Sequence, residues 1–216
     1  MTNILILGAN GQIARVATDL FLARTDVRLT LYLRNARRLK FSAPADRVRV
    51  VEGDALNQKA LEQAMVGQDV VYANLAGELE QQARCIVAAM LKTGLKRLIF
   101  ISSMGIYDEV PGEHHGSILD PYRKSASLIE ASGLDYTIIR PAWLNNQDEI
   151  SYGTTHKGQP FENASEQVSR KSVADLVVKL ATTPGLEIRS SLAFTKRLNH
   201  LHTSTKERMH LCKSES

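Results

Sequence analysis

The segment Gly8-Ala-Asn-Gly-Gln-Ile-Ala14 holds the clearest chemistry in the chain. Glycines at a turn let backbone N–H groups approach an anion, and a helix starting just beyond the turn aims its unpaired N–H groups at the same place. Gly8 permits the tight turn. Gly11 lets the backbone come close to a pyrophosphate, and Ala14 is small enough for close helix–strand contact. Asn10, Gln12 and Ile13 complete the loop. About twenty residues further on, Arg34 stands where an acid would bind a ribose 2′-hydroxyl. Arg37, Arg38 and Lys40 follow it, and guanidinium forks match phosphate geometry. The cluster favours a 2′-phosphate, and so NADP over NAD; the alternative is a solvated basic loop. Asp54 can accept from an adenine amino group or cap the helix after it. For the glycine segment itself, the alternative is a tight turn that binds nothing.

Such a site needs a buried strand before the turn and a helix after it. Ile4 to Leu7 is a short continuous apolar run, suited to a strand covered on both faces. From Gln12 to Leu22, Ile13, Val16, Ala17, Leu20 and Phe21 recur at helical spacing. The alternation continues. Strands are predicted over 29–33, 48–51, 69–73, 97–102, 134–140 and 191–194, and helices over 57–65, 78–92, 122–132 and 168–182. Leu75, Ala76 and Gly77 leave the fourth strand, where small residues let a loop pass close to a ligand. On the 78–92 helix, Ala83, Ile86, Val87, Met90 and Leu91 form an apolar face. Residues 108–119 make a loop long enough to work over the sheet's carboxyl edge. His114 and His115 lie in it without an acid or cysteine at ligand spacing, which argues against a metal. A polar segment runs from Asn145 to Glu166. From Lys196 onward the periodicity fails, and residues 196–216 read as a disordered or loosely attached basic tail. The expected fold is α/β: one doubly wound, mainly parallel, Rossmann-like sheet over residues 1–195 with helices on both faces. Its ligand crevice belongs at the carboxyl ends of the first and fourth strands.

The totals narrow the function classes. At 216 residues the chain suits one α/β domain. No apolar run approaches the roughly 20 residues that span a bilayer. Met1 leads straight into a core strand, so no signal peptide is read. Cys85 and Cys212 make neither a disulfide framework nor a metal cluster, which fits a reducing cytoplasm. Of 27 basic and 23 acidic residues, six and two fall in 189–216, leaving 21 of each sign in the body. The positive charge is a property of the tail, and no nucleic-acid footprint is expected on the fold.

Gly8-Ala-Asn-Gly-Gln-Ile-Ala14, Leu98-Ile-Phe-Ile-Ser-Ser103, Ser132-Gly-Leu-Asp-Tyr-Thr-Ile-Ile-Arg-Pro141 and Val168-Ser-Arg-Lys-Ser-Val-Ala-Asp-Leu176 together resemble the atypical short-chain dehydrogenase/reductases of the NmrA-like, NAD(P)H-binding kind. The resemblance covers roughly residues 1–195. It implies NADPH lying across the sheet edge. Gly8, Asn10, Gly11, Gln12 and Ile13 would hold the pyrophosphate, Arg34 the 2′-phosphate and Asp54 the adenine. Leu75, Ala76 and Gly77 would pass the ribose. Ser102 and Ser103 would lie beside the nicotinamide, and Pro141, Ala142 and Trp143 near its carboxamide. Typical short-chain dehydrogenases use a Ser and a Tyr-x-x-x-Lys dyad. Ser103 and Tyr122 fit the Ser and the Tyr by position, but Ala126 stands where the Lys belongs. Lys124, two residues past the tyrosine, sits roughly 200° around a helix and does not substitute. Counting back from Ser132-Gly133-Leu134 instead puts Tyr122 where many relatives carry the Lys. The dyad is absent either way.

Two functions follow. One is an NADPH-dependent reductase of a conjugated acceptor, a flavin or quinone, with the proton coming from water or Tyr122. Met104, Tyr107, Trp143, Tyr152 and Phe161 would line its acceptor pocket or else serve as packing. The other is a non-catalytic NADP(H)-binding redox sensor with a protein partner. A sugar-nucleotide epimerase would need a larger region after Pro141. Small-molecule binding is expected in the first reading, and neither nucleic acid nor membrane in any.

Overall fold

Strand β1 (Asn3–Leu7) shows why the domain is layered. Ile4 and Ile6 enter one apolar cluster and Leu5 and Leu7 the other, all fully buried. Successive strand side chains point to opposite faces, so a strand covered on both must be apolar throughout. Each such side chain contributes roughly 1.5–3 kcal/mol relative to exposure. The computed structural model describes residues 1–39, 46–110, 112, 116–161 and 163–197.

The further strands are β2 (Arg28–Leu33), β3 (Val48–Glu52), β4 (Val70–Ala73), β5 (Arg97–Ile101), β6 (Asp135–Pro141), β7 (Leu144–Asn145), β8 (Gly153–His156), β9 (Val168–Ser169) and β10 (Ser190–Thr195). Eight of the ten strands among the described residues, β1 included, form one sheet in the order β3-β2-β1-β4-β5-β6-β10-β8. All neighbours in it are parallel except β8, which runs antiparallel to β10. The helices are α1 (Gln12–Arg24), α2 (Gln58–Met65), α3 (Leu79–Thr93), α4 (Asp120–Glu130) and α5 (Arg170–Thr182). Residues of α1 and α5 share the cluster of Ile4 and Ile6, and those of α2, α3 and α4 share the other. This is the doubly wound, Rossmann-like α/β sheet expected. The strand order reverses between β1 and β4, which opens a crevice at their carboxyl ends.

Asp175 ties the two helices of one face together. Its carboxylate accepts from Arg24 Nη1 on α1 at 2.8 Å and from Tyr152 Oη at 2.9 Å, and pairs with Lys179 at 2.7 Å. Burial alone would raise its pKa. The Lys179 and Tyr152 hydrogen bonds, the Lys179 charge and Arg24 outweigh burial and hold the carboxyl below its ordinary range.

The structure departs from expectation in places. The polar segment 145–166 contains β8, whose alternately exposed residues need only a backbone partner at the sheet edge and so lack an apolar signature. Strands β7 and β9 pair in parallel as a separate two-stranded sheet, each too short to leave a pattern. Leu91, expected on the apolar face of α3, is 51% exposed, whereas Gln82 is buried on that helix. Pro111, His114, His115, Lys40, Cys212 and the tail from residue 198 lie outside the described residues. Among those described, no helix is long and apolar enough to cross a membrane, and no three metal-ligating side chains converge.

Candidate functional site

At the β1–β4 switch, the turn after β1 and the loop after β4 interlock. Gly8 has φ +76°, and a Cβ there would lie 2.2 Å from the Asn74 carbonyl oxygen. A Cβ on Gly11 would lie 2.1 Å from Asn74 Nδ2. Gly11 therefore makes room for Asn74 as well as for any ligand. Backbone bonds fix the arrangement. Gly8 N donates to Tyr32 O at 3.0 Å, Gly11 N to Gly8 O at 2.9 Å and Asn74 N to Leu7 O at 3.0 Å. Gly11 is the N-cap of α1. It offers no side-chain cap, and the first turn carries no acid. The helix start thus presents N–H groups without side-chain partners, equivalent to about half a positive charge.

A crevice of about 490 Å³ opens there, within the range of roughly 300–1,000 Å³ usual for small-molecule sites. Gly8, Asn10, Gly11, Gln12, Ile13, Arg34, Asp54, Leu75 and Ala76 all line it, as the sequence reading places them. One end is built on Tyr32, which is buried and donates from Oη to Asp54 O at 2.9 Å. Burial, then the Asp54 charge, raises the Tyr32 pKa. Gly53 is obligatory in this packing, because a Cβ would meet Tyr32 Oη at 2.3 Å. Asp54 accepts from Leu56 N at 3.0 Å, while the cap of α2 is Asn57, which accepts from Ala60 N at 3.1 Å. Asp54 is therefore not that helix's cap. Arg34 is exposed and forms no ion pair among the described residues. A donor set of free helix N–H groups and two guanidiniums, Arg34 and Arg170, against one carboxylate, Asp54, fits a dinucleotide carrying phosphates.

A family model described as NAD(P)H-binding matches residues 8–184. The chain belongs to this NAD(P)H-binding family. A Rossmann-fold NAD(P)-binding family protein from Shigella flexneri is 42% identical, with a TM-score of 0.80 over 91% of this chain and 94% of that one. A short-chain dehydrogenase/reductase from Veillonella parvula, solved in complex with NADP, is 30% identical, with a TM-score of 0.79 over 92% and 96%. A Bacillus subtilis protein named an uncharacterized sugar epimerase is 27% identical, over 81% of this chain and 86% of its own. The atypical short-chain dehydrogenase/reductase type fits all of these.

The acceptor side of this NAD(P)H-binding domain differs more from expectation. Gly77, Ser102, Ser103, Tyr122, Pro141, Ala142 and Trp143 do not line the crevice. The sheet ladder runs past the ends of β5 and β6: Ser102 N donates to Ile139 O at 2.8 Å and Ala142 N to Phe194 O at 2.9 Å, which buries both residues. Ser102 Oγ is buried with no hydrogen-bond partner among the described residues. Trp143 accepts at its carbonyl from Val168 N at 2.8 Å and is 60% exposed as a residue. Tyr122 lies in the first turn of α4. Ala126, at the lysine's place, is fully buried against the α3 side, and Lys124 pairs with Glu80 at 3.5 Å. No hydrogen bond joins Ser103 to Tyr122 among the described residues.

The aromatic acceptor pocket is not formed by the residues expected of it. Met104 and Phe161 are core, and Tyr152 stacks on Phe194 with centroids 4.6 Å apart. Tyr107 belongs to a buried network that sequence reasoning missed. Arg140, 1% exposed, pairs with Glu109 and donates from Nε to Ser191 Oγ at 3.1 Å. Glu109 also accepts from Gly105 N at 3.1 Å and Tyr107 N at 2.8 Å. Tyr107 Oη donates to Glu130 at 2.6 Å; burial, then Glu130, pushes its pKa well above the ordinary phenol value. This network pins the loop after β5, which carries Ser103, onto β6 and β10. Asn74, Gln82, Leu144 and Arg170 are crevice residues the sequence reading also missed. A glutamine on an otherwise apolar helix face was the available sign for Gln82.

Proposed function

We propose that the protein is an NmrA-like, NADPH-dependent reductase that delivers hydride to a small conjugated acceptor such as a flavin or a quinone. The preference for NADPH rests on Arg34, which lines the crevice at the end of β2 where an acid would select NAD. The relative solved with NADP supports it. When bound, the nicotinamide supplies the hydride. The chain's own work is to bind and orient. The 8–13 loop and the α1 N-terminus take the pyrophosphate, Arg34 the 2′-phosphate and Asp54 the adenine amino group. Leu75 and Ala76 flank the ribose, and Gly77, outside the crevice lining, turns the loop behind them. Ser102, Ser103, Pro141, Ala142 and Trp143 belong to the nicotinamide end, beyond the crevice wall.

One observation carries the choice of acceptor: the dyad lysine is replaced by Ala126, fully buried in packing. Oxidising an alcohol, or epimerising a sugar through one, requires removal of a proton, and Tyr122 lacks the lysine that would make it a base. A conjugated acceptor needs only hydride and a proton, which water or Tyr122 can give. The substrate is then a small molecule, with no nucleic acid or membrane partner, encountered in the cytoplasm. The second reading, an NADP(H)-binding redox sensor with a protein partner, is favoured by the absence of a Ser103–Tyr122 hydrogen bond and by the pairing of Lys124 with Glu80.

Calorimetric titration with NADPH and NADH, on wild type and Arg34→Ala, tests the cofactor. NADPH oxidation in the presence of flavin mononucleotide or a benzoquinone tests the reaction. An NADPH preference lost in the variant, with turnover, is expected. Binding without turnover on any acceptor selects the sensor, and no binding of either nucleotide sinks both.

A further inference from the structure

The fold delivers a second guanidinium to the crevice, from a part of the chain about 160 residues away from the glycine loop. Strands β7 and β9 pair in register, Leu144 with Val168 and Asn145 with Ser169. The chain leaves β9 directly into α5, so Leu144 and Arg170 come to the crevice together. Among the described residues Arg170 pairs with no acid. Its Nη1 donates to Asn146 Oδ1 at 2.9 Å, a neutral partner that fixes the side chain without cancelling its charge. The acid nearest in sequence on that segment, Asp148, is taken by Lys171. Ser169 accepts from Ser172 N and caps α5, which satisfies one of the N–H groups at the helix start, and Arg170 lines the crevice beside it. Among the residues lining the crevice, Arg34 and Arg170 are the cations. Arg34 sits at the β2 end, with Asn35, Asp54 and Ala55. Arg170 comes from α5, which packs beside α1, whose N-terminus forms the crevice floor.

We propose that Arg170 is a pyrophosphate clamp, acting on the dinucleotide from the α5 side of the glycine loop, with Asn146 as its positioning residue. This rests on the proposed NADPH site and deepens it. A dinucleotide phosphate carries two anionic centres, and the crevice meets them with two guanidiniums at separate stations. Arg34 then discriminates between NADPH and NADH, whereas Arg170 acts on a group both nucleotides share.

The test is titration of NADPH, NADH and adenosine 2′-monophosphate into wild type, Arg34→Ala, Arg170→Ala and Asn146→Ala. A charge-assisted bond to phosphate corresponds to about tenfold or more in affinity. Arg170→Ala is expected to weaken NADPH and NADH by that factor alike, preserving their ratio, and to leave adenosine 2′-monophosphate, which has no pyrophosphate, unchanged. Arg34→Ala is expected to weaken NADPH and adenosine 2′-monophosphate and to collapse the ratio. Asn146→Ala is expected to give a smaller version of the Arg170→Ala pattern. Unchanged binding of adenosine 2′-monophosphate also shows that Arg170→Ala is folded. If wild type binds NADPH and Arg170→Ala binds both dinucleotides equally well, the clamp is overturned and the proposed function stands. A loss confined to NADPH places Arg170 at the 2′-phosphate and overturns it too. Wild type binding neither dinucleotide overturns the proposed function, and the clamp with it.

Discussion

Gly8 and Gly11 face the same residue, Asn74, but not the same part of it. At Gly8 the left-handed φ costs a side-chain-bearing residue about 1–2 kcal/mol, and the added carbon meets backbone, which cannot swing away. At Gly11 the φ of −62° is ordinary and the obstacle is the Asn74 amide, which can rotate. Gly8→Ala should therefore cost at least about 2 kcal/mol, lowering the melting temperature by several degrees. Gly11→Ala should cost less in stability while still disturbing the crevice wall. Calorimetric melting of both variants decides it, and a larger loss at Gly11 would show that Asn74 is rigid. For the proposed reduction, Tyr122→Phe should lower turnover by less than about tenfold. A supported general acid contributes 100-fold or more, and Tyr122 has no lysine beside it. A thousandfold loss measured at saturating NADPH would make Tyr122 the proton donor after all.

At the scale of elements, two buried charges hold pieces of chain that apolar packing leaves loose. Arg140 and Glu109 fasten the loop after β5 to the sheet. Removing one partner of a buried pair strands the other, at about 3–5 kcal/mol. Arg140→Ala should show that loss in chemical denaturation, and amide exchange should speed up over 102–110 before it does in β1. Uniform exchange across the domain would mean that the pair stabilises the whole fold and not the loop. Asp175 clamps α1, α5 and Tyr152. Its folded pKa is depressed, so its contribution is present above the ordinary carboxylate range and is lost as pH falls through the depressed value. Melting temperature followed from pH 6 to pH 2 should fall less steeply in Asp175→Asn than in wild type. Lys179, whose pKa the same contacts raise, loses its share only at alkaline pH, as pH climbs through that raised value.

For the molecule as a whole, cofactor binding and folding are linked. NADPH at 100 times its dissociation constant should stabilise the native state by about 2.7 kcal/mol, a rise in melting temperature of about 5–10 °C for a domain of this size. NADH at the same concentration should do less, and Arg34→Ala should bring the two together. Equal shifts in wild type would remove the argument for NADPH. The layered fold was legible in the chain because both-face burial demands continuous apolar strands, such as Ile4 to Leu7, and one-face burial demands helical spacing, such as Ile13 to Phe21. The glycine loop was legible because its chemistry is local: strand, turn and helix start lie within about a dozen residues. What lies beyond that range was not. Asn74 against Gly11, Arg140 against Glu109, and Arg170 beside Leu144 each join segments distant in sequence, and a lone arginine or asparagine leaves no periodic trace of its partner. Residue types and local spacing determined the fold class and the cofactor loop. Only tertiary structure decided which side chains close the crevice and which aromatic residues are merely packed, because those contacts arise from the register of the sheet and the paths of its connections.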